Sequence, residues 1–343
     1  MIRNKVISES FYSREQPLNI KSTDQHLFLN AYESRLPSII VTIVKDADVL
    51  NDTIFKLSRV TFLKGTHTHK LGIRRVLRSL ALYFKPDIIY VDKAIWIIDN
   101  FSFGYYHWFI ECLTRLVAAK KFINNHKIIL PAKFRDLKYV SESIVALGYD
   151  VYYYDIKKRL RVHELVLPSH ATNNMSCNPT IINLLSKTFD SLNTYDNVPV
   201  KLVYITRKQA GARRIVNEEE LLPIFSKFNI EVHCLENYSF SQQLSLLQST
   251  KVLIGPHGAG LTNMLFMPKG NSIIIELRNK ADKYWNMFFT LATDLGHDYL
   301  YLLGDAISSE FSQASDTHNA DLYIDARELD QFLSKWLTRD LYR

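Results

Sequence analysis

Between Lys201 and Leu302, short runs of β-branched and aromatic residues alternate with longer stretches of helical periodicity. That pattern restricts the segment to a parallel sheet whose strands are joined by helices. The runs Lys201–Ile205, Glu231–Leu235, Val252–Gly255, Ser272–Leu277 and Tyr299–Leu302 read as strands. Asn217–Phe228, Ser239–Gln248, a segment from Gly258 and Tyr284–Leu295 read as the helices between them. Upstream the alternation recurs, with strands at Ile88–Val91, Ala94–Ile98, Lys127–Pro131, Val151–Tyr154 and Leu165–Pro168, and helices at Tyr105–Phe122, Leu137–Leu147 and Thr180–Leu192.

The expected fold class is therefore α/β, with two doubly wound lobes in a chain of 343 residues, long enough for two cores. The turn formers of 193–199 mark a linker. Residues 1–192 form the N-terminal lobe, of which 1–85 read as an extension with short extended runs at Ile39–Val44 and Arg59–Leu63. Residues 200–325 form the C-terminal lobe, and 326–343 a closing helix. Open α/β sheets bind ligands at the carboxyl ends of their strands, so two such lobes predict a crevice there.

Three stretches carry candidate chemistry. The first is Val252–Asn263, where an apolar strand ends in Gly255-Pro256-His257-Gly258-Ala259-Gly260-Leu261-Thr262-Asn263. Small residues opening a helix present free amides and partial positive charge, so the expected guest is a phosphate, with His257 as an added donor. The plain alternative is a tight turn whose glycines serve geometry alone. Arg207, just after the strand Lys201–Ile205, can clamp a diphosphate, and one of Arg213 and Arg214 is expected to join it. Asn217 and Glu220 have the spacing of a helix-start capping pair, a structural role. In the other lobe His107 and Glu111, four apart on one helix, share a face and together can deprotonate a hydroxyl; an aromatic-rich core helix would give the same spacing. Glu276, at a strand end, can accept the hydroxyls of a ribose or cap the next turn.

Composition narrows the partners. The formal net charge is +7, with the basic residues scattered, which favours a small anion or an acidic membrane surface. No zinc-finger spacing, basic-region heptad or RNA-binding aromatic signature is present, and nucleic acid is not an expected partner. Cys112, Cys177 and Cys234 are odd in number and far apart, which predicts neither a disulfide framework nor a zinc site. Apolar runs fall far short of the ~20 residues that span a bilayer, and no signal-peptide stretch follows Met1, so a cytoplasmic location is expected.

At these stretches the sequence resembles glycosyltransferase family 61, which includes plant xylosyl- and arabinosyltransferases, animal N-acetylglucosaminyltransferases and bacterial capsular-polysaccharide enzymes. The matching pieces, in family order, are Gly104-Tyr105-Tyr106-His107-Trp108-Phe109-Ile110-Glu111, then Ile205-Thr206-Arg207 with Arg213-Arg214-Ile215-Val216-Asn217-Glu218, then Gly255–Asn263. The resemblance covers roughly Ile88 to Leu303. It implies a two-Rossmann-lobe (GT-B) glycosyltransferase that inverts the anomeric carbon without a bound metal or cofactor. Its donor would be a nucleoside-diphosphate sugar, UDP being the expected nucleotide.

By the same resemblance, Arg207 and the His257–Asn263 loop, including Gly258, Ala259, Gly260, Thr262 and Asn263, fall on donor-binding positions. His107 and Glu111 fall on the acceptor side, as catalytic candidates. Where the family commonly has Asp followed by Leu-Pro-Arg-Leu, this chain has Glu111 and then Cys112-Leu113-Thr114-Arg115-Leu116. Absence of a DxD-type motif agrees with the metal-free reading. The expected setting is bacterial capsule or other surface-polysaccharide assembly, with a saccharide or lipid-linked glycan acceptor met at the cytoplasmic face of the inner membrane, where a basic enzyme makes peripheral contact. A non-catalytic nucleotide-sugar-binding scaffold and a nicotinamide-dependent oxidoreductase are the rival readings; no full G-x-G-x-x-G supports the latter.

Overall fold

In a computed structural model, residues 1–59, 61–63, 72–173, 175–192, 199–270, 272–307 and 317–337 are described. The chain divides into two compact units, one of Met1–Phe11 with Arg35–Thr188, the other of Tyr12–Ser34 with Phe189–Arg343. The linker expected at 193–199 lies, but for its last residue, outside the described residues.

The first unit is built on an eight-stranded mixed sheet. Its strands are β1 (Ile2–Ile7), β2 (Ile39–Leu50), β3 (Thr53–Lys56), β4 (Thr61–Phe62), β5 (Ile88–Ile95), β6 (Lys127–Pro131), β7 (Val151–Tyr154) and β8 (Arg159–Pro168). They lie in the order β4-β3-β2-β8-β5-β6-β7, with β1 also paired to β2. β8, β5, β6 and β7 are parallel, whereas β2 runs antiparallel to β8. Residues 1–85 are thus more than an extension packed on a lobe: β2 supplies the middle of the sheet, burying Val41, Val44, Ala47 and Val49. The stretch from Ile88 to Ile95 forms one strand and not two, because it stays extended through Asp92 and pairs with β8 again from Lys93.

Helices α1 (Ile73–Tyr83), α2 (Leu113–Ala118) and α3 (Lys138–Ala146) belong to this unit. The segment expected as one helix from Tyr105 to Phe122 is instead a π-helical turn over His107–Cys112 continued by α2, with the Leu113 amide donating to the Trp108 carbonyl five residues back. Helix α4 (Pro179–Asp190) ends beside the division between units.

The second unit carries a six-stranded sheet of β9 (Lys201–Ile205), β10 (Ile230–His233), β11 (Thr250–Pro256), β12 (Ile273–Asn279), β13 (Asp298–Ile307) and β14 (Asp321–Tyr323). The order is β10-β9-β11-β12-β13-β14, parallel except for the last pair. Helices α5 (Glu218–Lys227), α6 (Phe240–Gln248), α7 (Met287–Leu295) and α8 (Ala326–Leu337) complete it. Leu221, Phe225, Ile254, Ile275, Leu329 and Leu333 share one buried cluster. The chain leaves β9 toward one side of the sheet and returns to its other side at β11, so a topological switch point opens between β9 and β11, where sheets of this kind bind ligands.

Residues 12–34, read from sequence as part of the first lobe, pack into this second unit. Phe28 is fully buried against Phe289, Tyr299 and Tyr301. Arg14 makes a two-pronged ion pair with Asp294 at 2.8 and 2.9 Å. Asn217 stands at the start of α5 and its amide donates to Glu220 at 3.1 Å, the pair expected from sequence, but it makes no capping bond to the helix backbone; the same amide also donates to the Ile324 carbonyl and its oxygen accepts from the Ile324 amide.

Candidate functional site

The strand ends at the switch point bring the predicted donor residues together. Arg207 follows β9, His257 and Gly258 follow β11, and Arg278 lies at the end of β12, on adjacent parallel strands. Gly258 precedes a 3₁₀ helix, Ala259–Phe266, where an ordinary helix was expected. The Leu261 amide closes on the Gly258 carbonyl and the His257 amide is spent on Leu277, which leaves the amides of Ala259 and Gly260 ahead of the first helical bond. Further along, Thr262 and Asn263 point inward. Both are buried; Asn263 donates to the Gly260 carbonyl at 2.9 Å and holds the turn's shape, whereas the Thr262 hydroxyl is buried without a hydrogen-bond partner among the described residues.

Arg207 lies across Gly258. A Cβ built on that glycine would stand 2.1 Å from Nη1 of Arg207. Nε and Nη2 donate to the Ala212 carbonyl at 3.3 and 3.0 Å, while Nη1 has no hydrogen-bond partner among the described residues. Burial, reinforced by the neighbouring charge of Arg213, pulls its pKa down to about 10, so it remains a cation at neutral pH. Arg213 adopts a left-handed backbone (φ 58°) and brings Nη1 to 3.5 Å from Nε2 of His318. Arg214 turns elsewhere, into a two-pronged pair with Asp321 at 3.2 and 2.8 Å.

Glu276 is fully buried. One oxygen accepts from Nδ1 of His257 and the other from the Tyr299 hydroxyl at 2.5 Å. The ribose-binding role read from sequence is therefore not what its surroundings support: it orients His257. Burial opposes the charge on Glu276, but His257 and Arg278 more than offset it and hold the carboxyl below its ordinary range. Burial also lowers the His257 pKa despite Glu276, which makes the imidazole neutral with its proton on Nδ1. Its Nε2 is buried without a hydrogen-bond partner.

His318 and Asp282 stand beside that nitrogen. The two histidines and Asp282 offer ligand atoms within 4.8 Å of one another. The Arg213 guanidinium in contact with His318 and the Asp282 carboxylate place charges of both signs at this cluster. Burial raises the Asp282 carboxyl, yet the bond to His318 and the amides of Tyr284 and Trp285 outweigh it and bring it to about 2. The Trp285 indole stacks on His318 with ring centres 4.2 Å apart. Asp282, Trp285 and His318 were not singled out from sequence; they lie in loops without a pattern of their own.

The first unit carries a second constellation. The π turn places Nδ1 of His107 2.9 Å from Oε2 of Glu111, and Phe101 stacks on the imidazole at 5.3 Å. Burial lowers the His107 pKa, but the hydrogen bond and charge of Glu111, aided by Asp99, outweigh it, and the net shift is upward. Beyond this predicted pair, Asp99 and His170 sit at the carboxyl ends of β5 and β8. Asp99, Glu111 and His170 offer ligand atoms within 4.8 Å of one another.

Asp99 spends Oδ1 on the Phe101 amide and Ser102 hydroxyl, while Oδ2 is buried without a hydrogen-bond partner, 3.4 Å from Nε2 of His170 in a geometry that makes no hydrogen bond. Burial and the nearby Arg115 hold the His170 pKa at about 4, so it is neutral at pH 7. Arg115 itself is fully buried and ties the two strand ends together, donating to the Ile97 and Pro168 carbonyls. A carboxylate directly after the apolar run Ala94–Ile98 is the signal that would have found Asp99.

Residues 105–274 match the family model described as Glycosyltransferase 61. Over 86 residues the chain is 37% identical to the EGF domain-specific O-linked N-acetylglucosamine transferase of Drosophila melanogaster, a stretch that is 24% of this chain and 16% of that protein. Over 114 residues it is 35% identical to protein O-linked-mannose beta-1,4-N-acetylglucosaminyltransferase 2 of Xenopus laevis, covering 32% of this chain and 20% of the relative. The alignments thus span a fifth or less of these relatives' lengths.

Proposed function

Since the chain is, through residues 105–274, a member of glycosyltransferase family 61, we propose that it transfers a sugar from a nucleoside-diphosphate donor to an acceptor hydroxyl. The observation that carries this reading is the Arg207 guanidinium lying over side-chain-free Gly258, with the unpartnered Nε2 of His257 also on this loop. That arrangement suits a diphosphate leaving group: a fixed cation, two uncommitted amides and an imidazole able to take up a proton when an anion arrives. The donor is UDP-linked in this proposal, and the site works without a metal. The finer architecture is GT-B, each unit serving as one lobe.

In the proposed reaction the acceptor oxygen attacks the anomeric carbon as the carbon–oxygen bond to the diphosphate breaks, with inversion. The acceptor proton passes to Glu111 or to His107, whose hydrogen bond fixes the pair's orientation. Arg207, Arg213 and the loop amides stabilise the departing diphosphate. We propose a saccharide or lipid-linked glycan acceptor in surface-polysaccharide assembly, with peripheral contact at the cytoplasmic face of the inner membrane. The relatives' names favour a second acceptor class, since one specifies an EGF domain and the other protein O-linked mannose.

The test is calorimetric titration with UDP, followed by turnover assays with UDP-sugars against saccharide and glycopeptide acceptors. UDP binding that Arg207→Ala weakens at least about tenfold in a folded protein supports the site. No binding by any nucleoside diphosphate removes the proposal, and binding without turnover on any acceptor favours the scaffold reading.

A further inference from the structure

Helix α1, Ile73–Tyr83, has two distinct outer strips. Its inward side buries Ser79 and Leu82 and packs Leu80 and Tyr83 on Leu50, Phe55 and Phe62. Arg75 also turns toward the unit, pairing with Asp52. At about 100° per residue, Ile73 and Leu77, with Phe84 at the helix's C-cap, fall in one arc of roughly 40° that begins about 20° beyond Leu80 on the outward flank. These three are 80%, 81% and 61% exposed. Immediately beside them, after Ala81, the next arc of about 40° holds Arg74 and Arg78, and Lys85 follows just past the helix end; all three are exposed and without ion-pair partners among the described residues. No acidic residue occurs from Gly72 to Pro86.

An apolar strip running parallel to a cationic strip on one exposed face is costly to hold in water and matches a boundary that is apolar on one side and negatively charged on the other. We propose that this face of α1 docks on an anionic lipid bilayer, with Ile73, Leu77 and Phe84 entering the acyl boundary and Arg74, Arg78 and Lys85 at the headgroup phosphates. Charge complementarity selects this occupant. A nucleic acid would use the cations but leave three large apolar side chains exposed, and a second copy of the helix would bring no acidic strip to meet the cations. The inference rests on the membrane-contact part of the reading above and not on sugar transfer, so either can fail alone.

The experiment is co-sedimentation of the full chain with vesicles of phosphatidylcholine, with and without phosphatidylglycerol. Leu77→Ser with Phe84→Ser removes the apolar strip and Arg74→Gln with Arg78→Gln the charge; circular dichroism checks that both variants are folded. Binding to the mixed vesicles only, weakened about tenfold or more by each pair and by salt for the native chain, is the expected result. Soluble glycerophosphate should not compete. Absence of binding to mixed vesicles, or binding indifferent to both pairs, overturns the proposal. So does a native dimer in sedimentation velocity that Leu77→Ser with Phe84→Ser dissolves, which would make the strip an interface between copies.

Discussion

Arg207 occupies the space that any side chain at Gly258 would need: a Cβ there falls 2.1 Å from the guanidinium Nη1 and 2.7 Å from Cζ. The contact joins the ends of two adjacent parallel strands. Gly258 has an extended backbone, so its lack of a side chain serves this close approach and not an unusual φ. Gly258→Ala is expected to displace Arg207 and weaken nucleoside-diphosphate binding by about tenfold or more, the range for losing one charge-assisted bond. Gly211→Ala, at a glycine with open space around it, is the matched control and should bind normally. Titration calorimetry on both variants measures this; equal affinities would sever the link between the glycine and the guanidinium.

The His107–Glu111 pair makes a prediction readable without a substrate. Glu111 supplies most of the upward pull on the imidazole, against burial. In Glu111→Gln the His107 pKa should therefore fall below that of the native protein, followed by the proton-detected imidazole resonances across a pH series. In turnover, the same variant should lose about 100-fold or more if Glu111 accepts the acceptor's proton. A normal rate with a shifted His107 would leave the pair structural.

Much of the second unit was legible because its central strands β9, β11 and β12 are almost fully buried and contain uninterrupted apolar runs. Arg207 and His257 follow such runs closely, so the sequence itself puts them at strand ends. What escaped has physical reasons. Asp99 and His170 are single polar residues after strands, and their meeting depends on β5 and β8 being neighbours in the sheet, which no local pattern encodes. Glu276 has a side chain suited to the ribose role expected of it, but long-range partners, His257 and Tyr299, claim it instead, and Asn217 adds a distant partner, Ile324, to the Glu220 that its spacing predicted. Residues 12–34 have weak local preference, and their place follows from Phe28 and Arg14 finding partners more than 250 residues away.

That long-range attachment predicts a stability effect. Arg14 and Asp294 are almost fully buried, at 2% and 3% side-chain exposure. Even with Arg14 present, burial pushes the Asp294 carboxyl up to about 6. Arg14→Ala removes the buried ion pair from that carboxyl and should cost about 3–5 kcal/mol in urea denaturation. Replacing both by apolar residues, as in Arg14→Met with Asp294→Leu, should recover a large part of the loss, since no buried charge is then stranded. A double variant as unstable as the single one would show that the cost comes from lost packing of 12–34 and not from the stranded carboxyl.

His297 should make the second unit acid-sensitive. The imidazole is buried, donates from Nε2 to the Met264 carbonyl at 3.1 Å, and leaves Nδ1 without a hydrogen-bond partner. Burial is the main cause that brings its pKa down to about 4, against about 6.5 in an unfolded chain. Between those values the unfolded chain binds a proton that the folded one refuses, so stability rises with pH across this window. The contribution is fully present above pH ~6.5 and lost as pH falls toward ~4, in total about 3 kcal/mol. His297→Gln can keep the donor to Met264 without a titrating group. Urea denaturation at successive pH values should therefore show a shallower acid decline for the variant than for the native chain. Parallel declines through this window would assign the acid sensitivity to another group.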